Sequence, residues 1–342
     1  MKYLIMVQCY FKQIVMKIKT FILVLAAGGF LLTACQKNID IFIPDPGQLN
    51  GPDTTWHNTV TPTMPVSVLK NNLLIQPYVD TITVNANTAT IITPFGIQLT
   101  FPPHCCATAA GQIITGSVQV ELIAVKKRGD MVRLNKPSTY NDSMLVTAGQ
   151  FFIKLKKDGQ ALQLATGARV NIRYVDLPPN PQMELFFGDE INTSGYEWLP
   201  NPDPINNTIV AGTQSYEILT KKLGWISIAQ VYDLGTAAKV SVIADIASHF
   251  TNANTIAFTV FKDLRSAVAM KGDLNTRKFI TGKLPVGKQI TVVVISKQGD
   301  DYYLGHESAI TQLPAVNSFT QHVPVVPIKR SLPEILSYLS TL

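Results

Sequence analysis

The stretch Ser117-Val118-Gln119-Val120-Glu121-Leu122 alternates strictly between polar and apolar residues. A period of two places the apolar side chains on one face of a β-strand and leaves the opposite face to solvent. Phe151–Lys156 and Val170–Tyr174 follow the same alternation. This part of the chain is therefore predicted to form half-buried strands of an antiparallel sheet.

Turn signals connect these strands and a second set that follows later in the chain. Asp158-Gly159 lies between Phe151–Lys156 and Ala161–Leu164, and it is typical of a two-residue hairpin because glycine adopts positive φ without steric cost. The later predicted strands are Lys239–Ile243, Thr255–Phe261, Lys288–Ser296 and Asp301–Leu304. Short strands at this spacing predict an all-β fold of two antiparallel, Ig-like β-sandwich domains with little helix.

The chain of 342 residues suits two domains after removal of a leader. Ser331, as an N-cap followed by Pro333 in the first turn, predicts a short helix at the end of the chain. Short strands are also expected within residues 181–235, but the sequence does not decide which sandwich they join. The predicted segments are a signal peptide (1–34), a Pro/Asn/Thr-rich extended tether (35–66), a first β-sandwich (67–180), a bridging β segment (181–235), a second β-sandwich (236–328) and the C-terminal helix (329–342).

A lipobox ends the leader. Leu32, Thr33 and Ala34 precede Cys35, and the apolar run Phe21–Leu32 that they close is too short for a span of about 20 residues. A basic start and a small-residue cleavage site are typical of a signal peptide. We expect cleavage before Cys35, diacylglycerol on its thiol and acylation of the new amine, which gives the two or three chains that stable anchoring requires.

The same region predicts the localisation. Met16 is the favoured initiator, because Met1–Val15 would place a second apolar stretch ahead of an otherwise complete signal. Gln36 occupies the position after Cys35 where an acidic residue is associated with inner-membrane retention. We therefore expect an outer-membrane lipoprotein, facing the periplasm or the cell surface, whose first partner is the lipid bilayer.

Charge gives no indication of a nucleic-acid partner. The chain carries a net charge of +6, but residues 1–35 contain four lysines and no acidic residue, so 25 basic and 23 acidic residues remain afterwards. The basic runs Lys126-Lys127-Arg128 and Lys221-Lys222 are short and far apart, whereas nucleic-acid binding requires a clustered basic stripe. No nucleic-acid partner is predicted.

Motifs of catalysis and cofactor binding are incomplete in this sequence. Gly282–Lys288 has the spacing of a phosphate-binding loop, but Gln289 lacks the hydroxyl that holds Mg²⁺, Pro285 lacks a backbone N–H, and a strand follows where a helix is required. We interpret this segment as a turn into a strand and predict no nucleotide, cofactor or metal.

The sequence also lacks the usual motifs of metal sites and hydrolases. The five histidines are scattered and no Gly-x-Ser-x-Gly elbow occurs. No enzyme is predicted, and a hydrolase site assembled from distant loops is the remaining catalytic alternative.

Two further motifs have ordinary interpretations. Arg128-Gly129-Asp130 is an adhesion-type tripeptide that we place at a hairpin tip between strands. Cys105 and Cys106 are adjacent and cannot join two segments of the chain. We expect a loop that tolerates small residues there, with a redox-sensitive vicinal pair as the alternative.

Aromatic residues supply the one candidate ligand contact. Trp56, Trp198 and Trp225 could stack on sugars, and Trp198 is favoured because Tyr196-Glu197-Trp198 runs into a Pro-rich loop where an aromatic can stay exposed. Trp225 is expected to pack inside. Tyr196 and Trp198 are therefore the candidate contacts of a polysaccharide-binding surface lipoprotein.

Three segments carry a resemblance to a known family. The segments Thr93–Pro103, Gly116–Leu122 and Ala148–Ile153 resemble the opening of the β-sandwich shared by ankyrins and netrin receptors, and Leu223–Ser227 is similar to a Gly-Trp-Ile motif in uncharacterised Bacteroidetes-type lipoproteins that carry this domain. The resemblance covers roughly residues 67–176. It implies a non-catalytic structural or protein-interaction module and assigns no catalytic residue.

Overall fold

A computed structural model describes residues 53–191, 195–314 and 318–342. The helices in these ranges are α1 (Pro65–Leu73), α2 (Arg128–Arg133) and α3 (Leu332–Ser340). The strands are β1 (Tyr78–Val84), β2 (Ala89–Ile92), β3 (Ile97–Phe101), β4 (Cys106–Ala107), β5 (Ile113–Ile114), β6 (Gly116–Val125), β7 (Thr139–Tyr140), β8 (Ser143–Lys157), β9 (Gln160–Leu164), β10 (Val170–Val175), β11 (Glu184–Ile191), β12 (Gly195–Pro200), β13 (Thr208–Ala211), β14 (Ser215–Thr220), β15 (Gly224–Val231), β16 (Lys239–Asp245), β17 (Thr255–Phe261), β18 (Ala267–Ala269), β19 (Lys271–Asp273), β20 (Lys278–Ile280), β21 (Leu284–Pro285), β22 (Gln289–Gln298), β23 (Asp301–Ile310), β24 (Thr320–Pro324) and β25 (Ile328–Arg330).

The first sandwich joins a ten-stranded sheet to a five-stranded sheet. The larger sheet has the order β12-β11-β15-β8-β9-β4-β5, with β6 pairing both β8 and β1, and β7 pairing β8. The smaller sheet has the order β13-β14-β10-β3-β2. The predicted all-β sandwich fold is confirmed.

Alternation along the strands builds the core of this sandwich. Val118, Val120 and Leu122 of β6 are buried, as predicted from their period of two, and face the same core as the buried apolar residues of β8 and β10. The Asp158-Gly159 turn between β8 and β9 has positive φ at both residues (50° and 78°). This is the mirror-image turn that fits the twist of an antiparallel hairpin, so the predicted hairpin is confirmed.

The bridging segment 181–235 belongs to the first sandwich. Its strands β11, β12 and β15 extend the larger sheet beside β8, and β13 and β14 complete the smaller sheet beside β10. Leu185, Phe187 and Ile226 point into the first core from these strands. The structure thus settles an assignment that the sequence left open.

The second sandwich is built from two five-stranded sheets. One has the order β19-β20-β16-β21 with β24 also pairing β16, and the other has the order β18-β17-β22-β23-β25. The β16–β24 pair is parallel, whereas every other strand pair within the described ranges is antiparallel. Phe261, Phe279 and Val292 lie in the core between these sheets.

A helical layer covers the outer face of the β17–β22–β23 sheet. Leu69 of α1, Met131 of α2 and Leu339 of α3 are fully buried in one cluster with residues of β17 and β22. Ser331 caps α3 as predicted, with its side chain accepting from the Glu334 backbone N–H and its own N–H donating to the Glu334 carboxylate. This layer also contains Val125 of β6, so it links the two sandwiches.

Candidate functional site

The predicted lipidation site lies outside the described residues. Leu32, Thr33, Ala34 and Cys35 all precede residue 53. None of the helices in the described ranges has both the length and the apolar composition needed to cross a bilayer. Lipidation of Cys35 therefore stays a prediction from the sequence.

Trp198 is buried, so the prediction that it stays exposed is wrong. Its side chain is 0% exposed and packs with Leu145, Phe186 and Ala229 on the face of the larger sheet that is opposite the first core. Its indole Nε1–H donates a 2.8 Å hydrogen bond to the Pro137 carbonyl. The Pro-rich loop begins only at the end of β12, and Trp198 itself pairs with Gly188 inside the sheet. Trp198 cannot offer a stacking face to a sugar in this structure.

Tyr196 contacts a cation of the protein itself. The Lys136 Nζ lies 3.5 Å from the centre of the Tyr196 ring and 5.2 Å from that of Trp225. Trp225 is half-buried, and the Tyr196 and Trp198 rings meet edge to face at 5.1 Å. Lys136 is 8% exposed, so this cation–π contact is largely removed from water. The Lys136 side chain therefore occupies a position over an aromatic ring that was expected to bind a ligand.

The Arg128-Gly129-Asp130 tripeptide begins α2 instead of forming a hairpin tip, which corrects the prediction. The Arg128 guanidinium donates to the backbone carbonyls of Phe261 and Lys262. Gly129 is buried against α3, and burial raises the pKa of Asp130. Tertiary contacts thus hold Arg128 and Gly129, and Asp130 is partly buried, so the tripeptide is not presented as an adhesion motif.

Cys105 and Cys106 belong to the first core and not to a permissive loop. They are 1% and 0% exposed, with Sγ atoms 3.4 Å apart and no disulfide between them. A hydrogen bond between the thiols lowers the pKa of Cys105 and raises that of Cys106. In this reduced, buried form, Cys106 is a strand residue that pairs with β5 and β9.

Gly282–Lys288 has the geometry of a turn into a strand, as predicted. Gly287 adopts a φ of 81°, and β22 starts at Gln289 directly after Lys288. A helix N-terminus is what a phosphate-binding loop requires, because its free N–H groups point at the anion. A strand here presents no such group of N–H donors.

A cleft in the second half of the chain is the candidate binding site. The segment Asp53–Met64, here termed the N-terminal strap, crosses the second sandwich before α1 begins. Between this strap, α1 and β17–β19 lies a cleft of about 620 Å³, here termed the strap cleft. This volume is within the range of about 300–1,000 Å³ that is usual for small-molecule sites.

Side-chain contacts hold the strap in place. The Asn252 side chain accepts from the His57 N–H at 3.0 Å and donates to the His57 carbonyl at 2.6 Å. Trp56 lies 5.1 Å from the Phe279 ring, and a Cβ at Gly272 would come within 2.8 Å of the Trp56 ring. The prediction of an extended tether through residue 66 is therefore wrong for residues 56–66, since the chain is packed from Trp56 and helical from Pro65.

The strap cleft combines apolar walls with positive charge. The apolar residues Val60 and Ala269 line it together with Lys70 and Lys271, and none of its lining residues is acidic. Lys271 forms an exposed ion pair at 2.8 Å with Asp142, a residue that does not line the cleft. Burial lowers the pKa of Lys70. A neutral or anionic ligand suits this environment better than a cation does.

Sequence reasoning missed the strap cleft because its parts are distant in the chain. In the sequence, Trp56 is one of three tryptophans, and Asn252 belongs to no motif. An aromatic residue in an otherwise Pro- and Thr-rich segment was the one available signal that residues near Trp56 pack against the fold.

A metal-binding cluster is not found in the part of the chain that the structure describes. Residues 53–191, 195–314 and 318–342 contain no group of three or more His, Cys, Asp or Glu side chains placed to hold a metal ion. Models of known protein families do not match the chain, and a search of curated proteins finds no match either. The resemblance of residues 67–176 to the sandwich of ankyrins and netrin receptors therefore remains a prediction.

Proposed function

We propose that this protein is a lipid-anchored lipoprotein of the outer membrane that acts as a non-catalytic binding module. The strap cleft carries the binding part of the proposal, because it is an open site of ligand size lined by both apolar and polar residues. The lipobox at Cys35 supports the anchor. In this proposal residues 36–52 connect the lipidated Cys35 to the strap.

The anchor is tested by replacing Cys35 with alanine. We expect metabolic labelling with a fatty-acid analogue to mark the wild-type protein and to be lost in Cys35→Ala, because no other cysteine follows a signal-type apolar run with a small-residue approach. Cys106→Ala is the matched control and should label normally. Labelling that persists in Cys35→Ala would contradict the proposed lipobox.

Binding in the strap cleft is tested by filling it. Ala269 lines the cleft on β18, opposite Phe258 in the ladder. We expect a fragment library to contain compounds that raise the melting temperature of the full chain, since a ligand at ten times its Kd adds about 1.4 kcal/mol. Ala269→Phe should abolish these shifts because the ring occupies the cleft.

The matched control is Ala161→Phe, which adds the same ring at an exposed position of β9 in the first sandwich. It should respond to the fragments as the wild-type protein does. Fragments that stabilise Ala269→Phe as strongly as the wild-type protein would place binding elsewhere. A library without any stabilising compound would count against a small-molecule binding module.

A further inference from the structure

One positive charge in the strap cleft has no partner in the described part of the chain. Lys70 is a half-buried residue of α1, and no hydrogen bond or ion pair to another described residue satisfies its ammonium group. A buried charge is costly unless a counter-charge or hydrogen bonds compensate it. The fold thus maintains, at a site of ligand size, a cation that an incoming anion would stabilise.

The other polar groups of the cleft differ from Lys70. Lys271 is already paired with Asp142, and both hydrogen-bonding atoms of the Asn252 amide are used by the strap. Ser67 donates its hydroxyl to the Thr61 carbonyl within the strap region. Lys70 is consequently the group with the clearest capacity to bind charge.

The walls near Lys70 determine what kind of anion fits. Val60 is 41% exposed and Ala269 is partly exposed, and both offer apolar surface in the same cleft. A phosphate dianion is usually bound by several N–H donors or by arginine, whereas a single ammonium beside apolar walls matches a monoanion with an apolar body. A carboxylate is the monoanion that combines these properties.

We propose that the strap cleft binds a small organic carboxylate, with the carboxylate paired to the Lys70 ammonium and the apolar body packed against Val60 and Ala269. This inference rests on the proposed function, since it names the ligand class of the same cleft. It assigns Lys70 the role of a specificity-determining residue.

The test compares carboxylates with neutral compounds of the same shape. Calorimetric titration of the full-chain protein uses octanoate and cinnamate against octanamide and cinnamamide, with inorganic phosphate as a second anion. We expect each carboxylate to bind about tenfold or more tightly than its amide, as a charged hydrogen bond in a partly desolvated site allows. Phosphate should bind no better than the amides.

The variant Lys70→Met keeps the apolar stem and removes the charge. It should bind carboxylate and amide equally, while Lys283→Met, which removes an exposed lysine outside the cleft, should keep the wild-type preference. A second readout follows the Lys70 resonance after reductive methylation with labelled formaldehyde. Bound carboxylate should raise the pKa of Lys70 from its lowered value, because an anion favours the charged form, and the amide should not.

Three results would overturn the inference: equal binding of carboxylate and amide by the wild-type protein, an unchanged preference in Lys70→Met, or no binding of either carboxylate at millimolar concentration. Tighter binding of phosphate than of both carboxylates would reassign the ligand class. Neutral fragments that bind the wild-type protein but not Ala269→Phe would preserve the proposed function even if the carboxylate inference failed.

Discussion

Gly129→Ala is expected to destabilise the protein by about 3–6 kcal/mol, because it separates α3 from α2 and from the rest of the helical layer. A Cβ at this position would overlap the backbone carbonyl of Leu339, which cannot rotate away as a flexible side chain could. Undocking α3 exposes Ile335 and Leu339, both 0% exposed in the fold, at about 1.5–3 kcal/mol for each buried aliphatic side chain. Denaturant unfolding monitored by circular dichroism measures the change.

A double-mutant cycle separates this clash from other effects of the substitution. A chain ending at Tyr338 lacks the carbonyl that Gly129→Ala would strike, so it should lose stability itself but tolerate the alanine with little further loss. Gly129 has no positive φ, so the loss does not arise from a strained backbone. Additive effects of the truncation and the substitution would show that α3 is not the element displaced.

Trp198→Ala is expected to cost about 3–5 kcal/mol, the usual range for deleting a buried aromatic side chain. The substitution leaves a cavity beside Phe186 and Leu145 and removes the hydrogen bond to the Pro137 carbonyl. This is a large share of a typical domain stability of about 5–15 kcal/mol. The melting temperature should fall by many degrees.

Leu199→Ala is the matched control on the neighbouring residue of β12. Leu199 is 38% exposed, so its truncation should change the free energy of unfolding far less than that of Trp198. If Trp198→Ala melted at the same temperature as the wild-type protein, Trp198 would have to be an exposed platform after all. The melting temperature of Trp198→Phe should lie between those of Trp198→Ala and the wild-type protein, because phenylalanine keeps most of the apolar volume.

Strand alternation made most of the fold predictable. The period of two in β6, β8 and β10 depends only on which face of the sheet contacts solvent. The alternation of polar and apolar residues in the local sequence shows this directly. The Asp158-Gly159 turn and the capped helix α3 likewise depend on residues within a few positions of each other. For these elements, local chemistry and the observed structure agree.

The remaining features depend on contacts between distant residues. α2 is too short and too polar to show a helical period, and its place is fixed by Arg128 donating to Phe261 and by Gly129 packing on α3. Trp198 precedes a proline-rich loop, but its burial follows from pairing with β11 and from packing against Leu145 and Phe186. The strap cleft needs Trp56, Asn252 and Phe279 together, and no local pattern connects them.

The length of β8 makes the two sandwiches mechanically inseparable. This strand of 15 residues places Met144 in the core of the second sandwich and Phe151, Ile153 and Leu155 in the core of the first. One backbone segment therefore supplies both cores, and loss of either core removes support from the other. Pulling on the two ends of the described chain should accordingly unfold both sandwiches in one cooperative event and not one after the other.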